Sequence, residues 1–336
     1  MKGMILAAGL GSRLHPLTLF RPKSAIPFLN RPLIQYSLDL LHQAGIQDVI
    51  INTHHRPDEV RNAAQFSRPA SGAQEPVLRT VFSHEPEIQG TAGAIARARD
   101  FLSGDTFVVC NGKIYFEERL TDAIRFHQKQ RALVTLVLVP HSEKEDFDPV
   151  FMDEKNRIAA FSPPPEEGLL QPYTFTGVQI LDSKILDFLP QRPSDTINDV
   201  YPGLIEKGHL IAGFVSQSYW CECSTPQRYL SKSLEVLKSR RLENLTDSPI
   251  GASCQGVVAG HSIQVEGESR LENSILWNQI GVGRNCSLRG VIVADGVYLA
   301  PATRLSNAIV TPLPERADTQ TAAGARLHDH CLIWPL

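Results

Sequence analysis

With 336 residues the chain exceeds one ordinary domain and can bury a substantial core, so two domains are expected. A formal net charge of −3 excludes a general electrostatic pull towards nucleic acid and points to a small anionic ligand held by local basic groups. The six cysteines (Cys110, Cys221, Cys223, Cys254, Cys286 and Cys331) contain no Cys-x-x-Cys pair and lack disulfide-scaffold density, so reduced thiols are expected. One Lys and a short apolar run precede Arg13, too brief for a spanning helix or a signal peptide. The expectation is a cytoplasmic protein without a membrane partner.

Met4-Ile5-Leu6-Ala7-Ala8 reads as a buried strand ended by Gly9-Leu10-Gly11-Ser12-Arg13. Glycines there let the backbone turn sharply, and successive N–H groups in such a turn cradle anions. Arg13 adds a planar fork of donors and Lys23 a mobile point charge, so this basic turn is a triphosphate-site candidate. It matches neither the P-loop nor the dinucleotide fingerprint. From residue 1 to about 140, strands at Val49-Ile50-Ile51, Val77 to Phe82, Thr106 to Cys110 and Val134 to Val139 alternate with helices at Pro32 to Ala44 and Leu120 to Lys129. That alternation predicts a mostly parallel α/β sheet with helices on both faces, whose ligands gather at strand carboxyl ends.

From 140 to 232 the alternation becomes irregular. Ser162 to Gly168 is a proline loop, Tyr173 to Leu181 a strand in which Gly177 marks close backbone approach, and Thr196 to Lys207 and Pro226 to Ser239 are helices. A Ser224/Thr225 cap with Pro226 in the first turn starts the last of these. Polar residues across 240–250 read as a linker between domains at 1–239 and 251–336. Beyond it Val282 and Leu288, and then Val293, Leu299 and Leu305, recur every six residues, which implies triangular coils stacked one on another.

The stretch from Leu6 to Tyr36 resembles the opening signature of the sugar-1-phosphate nucleotidylyltransferases, which make nucleotide-diphosphate sugars. The resemblance implies a Rossmann-like domain followed, over Ser274 to Val310, by a left-handed parallel β-helix. It implies transfer of a nucleoside monophosphate from a triphosphate to a sugar 1-phosphate, with pyrophosphate leaving. Leu6, Ala7, Ala8, Gly9, Gly11 and Ser12 would then cradle phosphates, Arg13 stabilise the leaving pyrophosphate and Lys23 the transferring centre. Glu85-Pro86-Glu87-Ile88-Gln89-Gly90-Thr91 resembles the family's base-binding loop, with Glu85 or Gln89 reading the base edge and Thr91 capping the following helix. A carboxylate only accepts, so Glu85 favours guanine, and hence GTP. Gly177 and Thr176, with Asn198, would face the sugar.

Two positions depart from the family's pattern. After Asn111-Gly112, where relatives place an aspartate that holds magnesium, this chain has Lys113. In Trp220-Cys221-Glu222-Cys223-Ser224-Thr225-Pro226 the second metal aspartate is replaced by Glu222. An ammonium cannot ligate Mg2+ and repels it. Three readings follow: Lys113, paired with Glu222, supplies charge to the α-phosphate directly; Glu222 alone holds Mg2+ arriving with the triphosphate; or the chain is an inactive nucleotide-sugar-binding homologue. The retention of Arg13 and Lys23 favours activity. The coil most plainly serves a homo-oligomer.

Overall fold

The computed structural model describes residues 1–65, 78–142, 147–161, 170–247, 252–313, 324–328 and 330–336. Met1–Gly9 and Leu33–Cys221 form one unit, Leu10–Pro32 and Glu222–Leu336 a second. This division differs from a boundary at 240–250. The opening loop and the helix at Pro226–Ser239 group with the coils, because side chains of that helix and of the coils grip the loop. The proline loop expected at 162–168 and the start of the strand expected at Val77 lie outside the described residues.

Among the described residues the main sheet of the first unit has nine strands: β1 (Lys2–Leu6), β2 (Asp48–Thr53), β3 (Arg79–His84), β4 (Phe107–Asn111), β5 (Val134–Pro140), β6 (Val150–Met152), β7 (Ile158–Phe161), β8 (Gln171–Leu181) and β9 (Ile211–Val215). Their order is β7-β6-β8-β4-β1-β2-β3, with β5 pairing β8 and β9. β1 runs parallel to β2 and β4, β2 to β3, and β9 to β5. β8 runs antiparallel to β4, β5 and β6. The sheet is therefore mixed, and its first four strands are parallel as the alternation requires.

Successive strand residues point to opposite faces, so Met4, Ile50 and Val109 enter one core and Ile5, Val49, Ile51 and Val108 another. Helix α1 (Leu33–Gln43) covers the second core with Ile34, Leu38 and Leu41, and α2 (Pro57–Ala63) adds Val60. Helix α3 (Gly90–Arg97) puts Ala92 and Ile95 into the first core. Leu120 and Ile124 of α4 (Leu120–Gln130) join the second, while Tyr201 and Leu204 of α5 (Tyr201–Glu206) join the first. Each such fully buried aliphatic side chain contributes roughly 1.5–3 kcal/mol. The helix expected at Thr196 to Lys207 is observed as a π-turn over Thr196–Val200 followed by α5.

In the second unit, α6 (Pro226–Ser239) forms where expected: Pro226 sits in the first turn and the Thr225 hydroxyl accepts from Arg228 N at 3.2 Å. The chain then winds in parallel. Ser253 pairs with Arg270, Arg270 with Ser287 and Ser287 with Arg304, a shift of 17 residues each time. A second ladder repeats the shift, with Ile263 beside Ile280 and Val282 beside Leu299. Buried Leu271, Leu276, Val282, Leu288 and Val293 lie in one core, so the apolar step runs five, six, six and five residues.

The uniform six-residue period is corrected accordingly, because one side of each triangle is a residue shorter. The corners agree. Residues 256, 273, 290 and 307, then 262, 279 and 296, then 268, 285 and 302 all have positive φ, three bends per coil in register. The last coil is covered by antiparallel Cys331–Pro335, which pairs with Arg304–Pro312 and Arg326–His328.

Candidate active site

Within the first unit, the carboxyl ends of β4, β1, β2 and β3 lie side by side. Leu6 is the register partner of both Asn52 and Asn111, and Gly112 N donates to Leu6 O at 2.9 Å. Leu6-Ala7-Ala8-Gly9, the segment after β3 and Asn111-Gly112-Lys113 thus share one edge. In a parallel sheet that is where main-chain groups are left for a ligand. Lys113 is half-buried there and Gly9 is exposed. Burial pushes the neighbouring Cys110 thiol well up, so this cysteine is inert.

A polar chain joins the turn after β1 to the loop after β3. Asn52 Oδ1 accepts from Ala7 N at 2.7 Å, and Asn52 Nδ2 donates to Glu85 Oε1 at 2.8 Å. Glu85 Oε2 in turn accepts from Gln89 N at 3.0 Å. Glu85 is 1 % exposed with both oxygens engaged, so its carboxylate is a strut and not the base-edge reader expected. Gln89, half-buried at the mouth of α3, donates from Nε2 to Glu87 O at 2.8 Å. Asn52 escaped the sequence reading; an Asn closing a buried apolar strand was the only signal.

Thr91 does not cap α3. Its hydroxyl donates to Asp195 Oδ2 at 2.8 Å and accepts from Thr196 N at 2.8 Å, while Ala92 N in the helix's first turn donates to Ser194 O at 2.9 Å. Gly90 opens that helix with φ +70, against the Ser194 carbonyl. Thr176, expected to face the sugar, is wholly buried, and its hydroxyl donates to Val137 O at 2.7 Å. Its carbonyl accepts from the Trp220 indole at 2.9 Å. Gly177 makes the close backbone approach expected of a glycine within this strand. With φ +83 it breaks the β8–β5 register, and a Cβ there would fall 2.3 Å from Asn111 Nδ2. Asn198 is exposed, and its N–H is held by Asp195 Oδ1 at 3.1 Å.

Within the second unit, Gly11 (φ +67) starts a 3-10 turn over Ser12–Leu14, with Leu14 N donating to its carbonyl at 2.9 Å and the Thr18 hydroxyl at 3.1 Å. A Cβ on Gly11 would lie 3.0 Å from the Lys23 Cβ, so the lysine stem packs against this turn. Ser12 and Arg13 are exposed, Lys23 is buried. The Lys23 ammonium meets Glu222 Oε1 at 3.3 Å, with both side chains about one-tenth exposed. An anionic ligand reaching this loop finds donors on Ser12 and Arg13 and one buried cation already poised.

The magnesium seat implied by the resemblance does not fit this donor set. Glu222 is the one carboxylate at the two altered positions, and it faces an ammonium. Among the described residues no group of three or more His, Cys, Asp or Glu could hold a metal ion. Within the second unit Glu222 is an ion-pair partner of Lys23.

Residues 2–239 match the model of the nucleotidyl transferase family. The chain belongs to that family, among the enzymes known as sugar-1-phosphate nucleotidylyltransferases. Among its relatives, a mannose-1-phosphate guanylyltransferase of Mycobacterium tuberculosis is 28% identical over 84% of this chain and 81% of its own length. A mannose-1-phosphate guanyltransferase of Schizosaccharomyces pombe is 31% identical over 72% of this chain and 66% of its own. A UTP–glucose-1-phosphate uridylyltransferase of Synechocystis is 25% identical over 92% and 87%. The crystal structure of HddC from Yersinia pseudotuberculosis complexed with GMP-PN superimposes with a TM-score of 0.57 at 21% identity, covering 70% of this chain and 99% of that one, a likeness of fold. Among the described residues no helix is long and apolar enough to cross a membrane.

Proposed function

We propose that the chain transfers a nucleoside monophosphate from a nucleoside triphosphate to a sugar 1-phosphate, releasing pyrophosphate. The observation that carries this reading is the shared edge of the parallel strands, where Leu6–Gly9, the Asn52–Glu85–Gln89 chain and Asn111–Lys113 come together. The substrate phosphate is itself the nucleophile, so the protein needs only to position the reactants and neutralise developing charge. Arg13 and Ser12 receive the departing phosphates. Lys23 supplies positive charge to the transferring centre, and Lys113, standing where the family has a metal aspartate, is given a like part by that position alone.

Guanosine triphosphate is the favoured donor, supported by the guanylyltransferases among the relatives. With Glu85 engaged inside the protein, the base edge is left to Gln89 and main-chain groups of its loop. Gly177 and Asn198 remain the residues offered to the acceptor. The stacked coils are read as the left-handed β-helix that follows this domain in the family, serving a homo-oligomer. The enzyme is read as cytoplasmic.

Pyrophosphate release tests the reading when each triphosphate is offered with hexose and heptose 1-phosphates, with and without magnesium. Release that requires both substrates, with GTP foremost, supports it. Tight binding of a nucleotide sugar with no release under any condition instead marks a binding homologue, the reading that replacement of both family aspartates favours.

A further inference from the structure

The loop Leu10–Pro32 contains only 3-10 turns and a two-residue β-ladder of its own, so tertiary contacts must fix its position. Those contacts come from the C-terminal half of the second unit. Arg21 Nε donates to Asp295 Oδ2 at 2.6 Å, and the same guanidinium lies over the Trp277 ring at 5.3 Å from its centroid. Asp295 is itself fixed, since Oδ1 accepts from Asn278 N at 2.9 Å. Trp277 is 1 % exposed, and its indole donates to Tyr229 Oη at 3.1 Å, which in turn donates to Pro27 O at 2.5 Å. Asn30 Nδ2 donates to Asp247 Oδ1 at 3.0 Å and to Ala259 O at 2.7 Å.

Three anchors, at Arg21, Pro27 and Asn30, therefore bracket Lys23. Two of them reach coil residues at least 229 positions away in sequence, Arg21 meeting Asp295 and Trp277 and Asn30 meeting Ala259. Lys23 packs on Gly11 and so holds the Ser12–Arg13 turn in the same rigid piece.

We propose that Asp295 and Trp277 of the coil are positioning residues for phosphoryl chemistry, clamping Arg21 so that Lys23 and the Ser12–Arg13 turn are held ready for the triphosphate. The coil is thus a working part of the site. The proposal rests on the loop being the phosphate site. A planar, always-charged guanidinium suits the task, because it forms an ion pair along its edge and stacks through its face at once.

The test uses the full chain with Asp295→Asn, Arg21→Gln and Trp277→Phe, and Arg289→Ala as a coil-surface control whose exposed pair with Glu272 does not touch the loop. Pyrophosphate release gives kcat and the KM for triphosphate, calorimetry the triphosphate affinity, and circular dichroism the fold. Asp295→Asn and Arg21→Gln should each lower kcat/KM for triphosphate on the order of tenfold or more, as expected for a misplaced charge, with the melting curve retained. Arg289→Ala should match the wild type.

A stability role would cost the same whatever residue stands at 23, whereas a positioning role must cost less in a Lys23→Ala background, where only the Ser12–Arg13 turn is left to place. There, adding Asp295→Asn should lower triphosphate affinity by a smaller factor than it does in the wild type. Should Asp295→Asn fail to fold, the loop-side Arg21→Gln decides the matter. Folded Asp295→Asn and Arg21→Gln proteins within twofold of the wild type in both kcat/KM and affinity overturn the clamp. A wild type that neither turns over nor binds triphosphate fails the proposed function instead, and the clamp with it.

Discussion

Replacing Glu85 with Gln isolates the strut between the phosphate turn and the base loop. The native carboxylate accepts from Asn52 Nδ2 at 2.8 Å and from Gln89 N at 3.0 Å, and it is shut off from water. A glutamine keeps one acceptor and turns an NH2 towards a neighbour that is also a donor. One hydrogen bond to a charged group, about 1.5–3 kcal/mol, is lost and a buried donor is stranded for about 1–3 kcal/mol more. If only the lost bond is transmitted to the ligand, triphosphate affinity falls about 10- to 100-fold, since 1.4 kcal/mol is tenfold.

Calorimetry with GTP, ATP and UTP reads the result, alongside a thermal melt. Because the strut orders main chain, the loss should be similar for all three nucleotides, and Asn52→Ala should reproduce it. A Glu85→Gln protein that binds every nucleotide as the wild type does would refute the strut. Loss confined to GTP would show that the carboxylate reads the base directly.

Gly177→Ala forces a side chain into φ +83 and 2.3 Å from Asn111 Nδ2; backbone strain of about 1–3 kcal/mol and a displaced Asn111 should lower both melting temperature and turnover, and an unaltered melt would contradict the geometry. Lys113→Asp should reduce turnover on the order of 100-fold if the ammonium acts on the α-phosphate; a rise in turnover that becomes magnesium-dependent would show it does not.

Burial pushes the His127 imidazole below its ordinary 6.5, with Asp182 opposing, and its Nδ1 lies 2.9 Å from the Thr135 hydroxyl. The unfolded chain therefore takes up the proton first as pH falls. Stability should be full above pH 6.5, the unfolded value, and decline as pH drops through the depressed folded value. His127→Gln should flatten the melting temperature over that window, and an unchanged slope would assign it elsewhere.

Much of the fold could be read in the residues. Alternating apolar runs gave four parallel strands with their carboxyl ends together, and Thr225-Pro226 marked the start of α6. What escaped was decided by contacts distant in sequence. Glu85 looks like a solvent-facing base reader in a Pro-rich turn, and only the pairing of β2 with β3 brings Asn52 against it. Thr91 stands where a cap should, yet Asp195, 104 positions on, claims its hydroxyl. Thr176 points inward because strand alternation restarts at the Gly177 bulge.

The coils hid their period for a different reason. A side of five residues among sides of six blurs any constant repeat, although the 17-residue register is strict in three dimensions. The grouping of Leu10–Pro32 with the C-terminal half was illegible because it depends on Arg21, Pro27 and Asn30 meeting residues that no local pattern ties to them.

Nucleotidyl transfer to a sugar 1-phosphate on this chain is open to direct measurement. Purified protein given GTP and a panel of hexose 1-phosphates, followed by chromatography of products, addresses it directly. The account predicts nucleotide-diphosphate sugar and pyrophosphate appearing in equal amounts, abolished by Arg13→Ala. Equal substrate recovery after prolonged incubation with every donor and acceptor would contradict it.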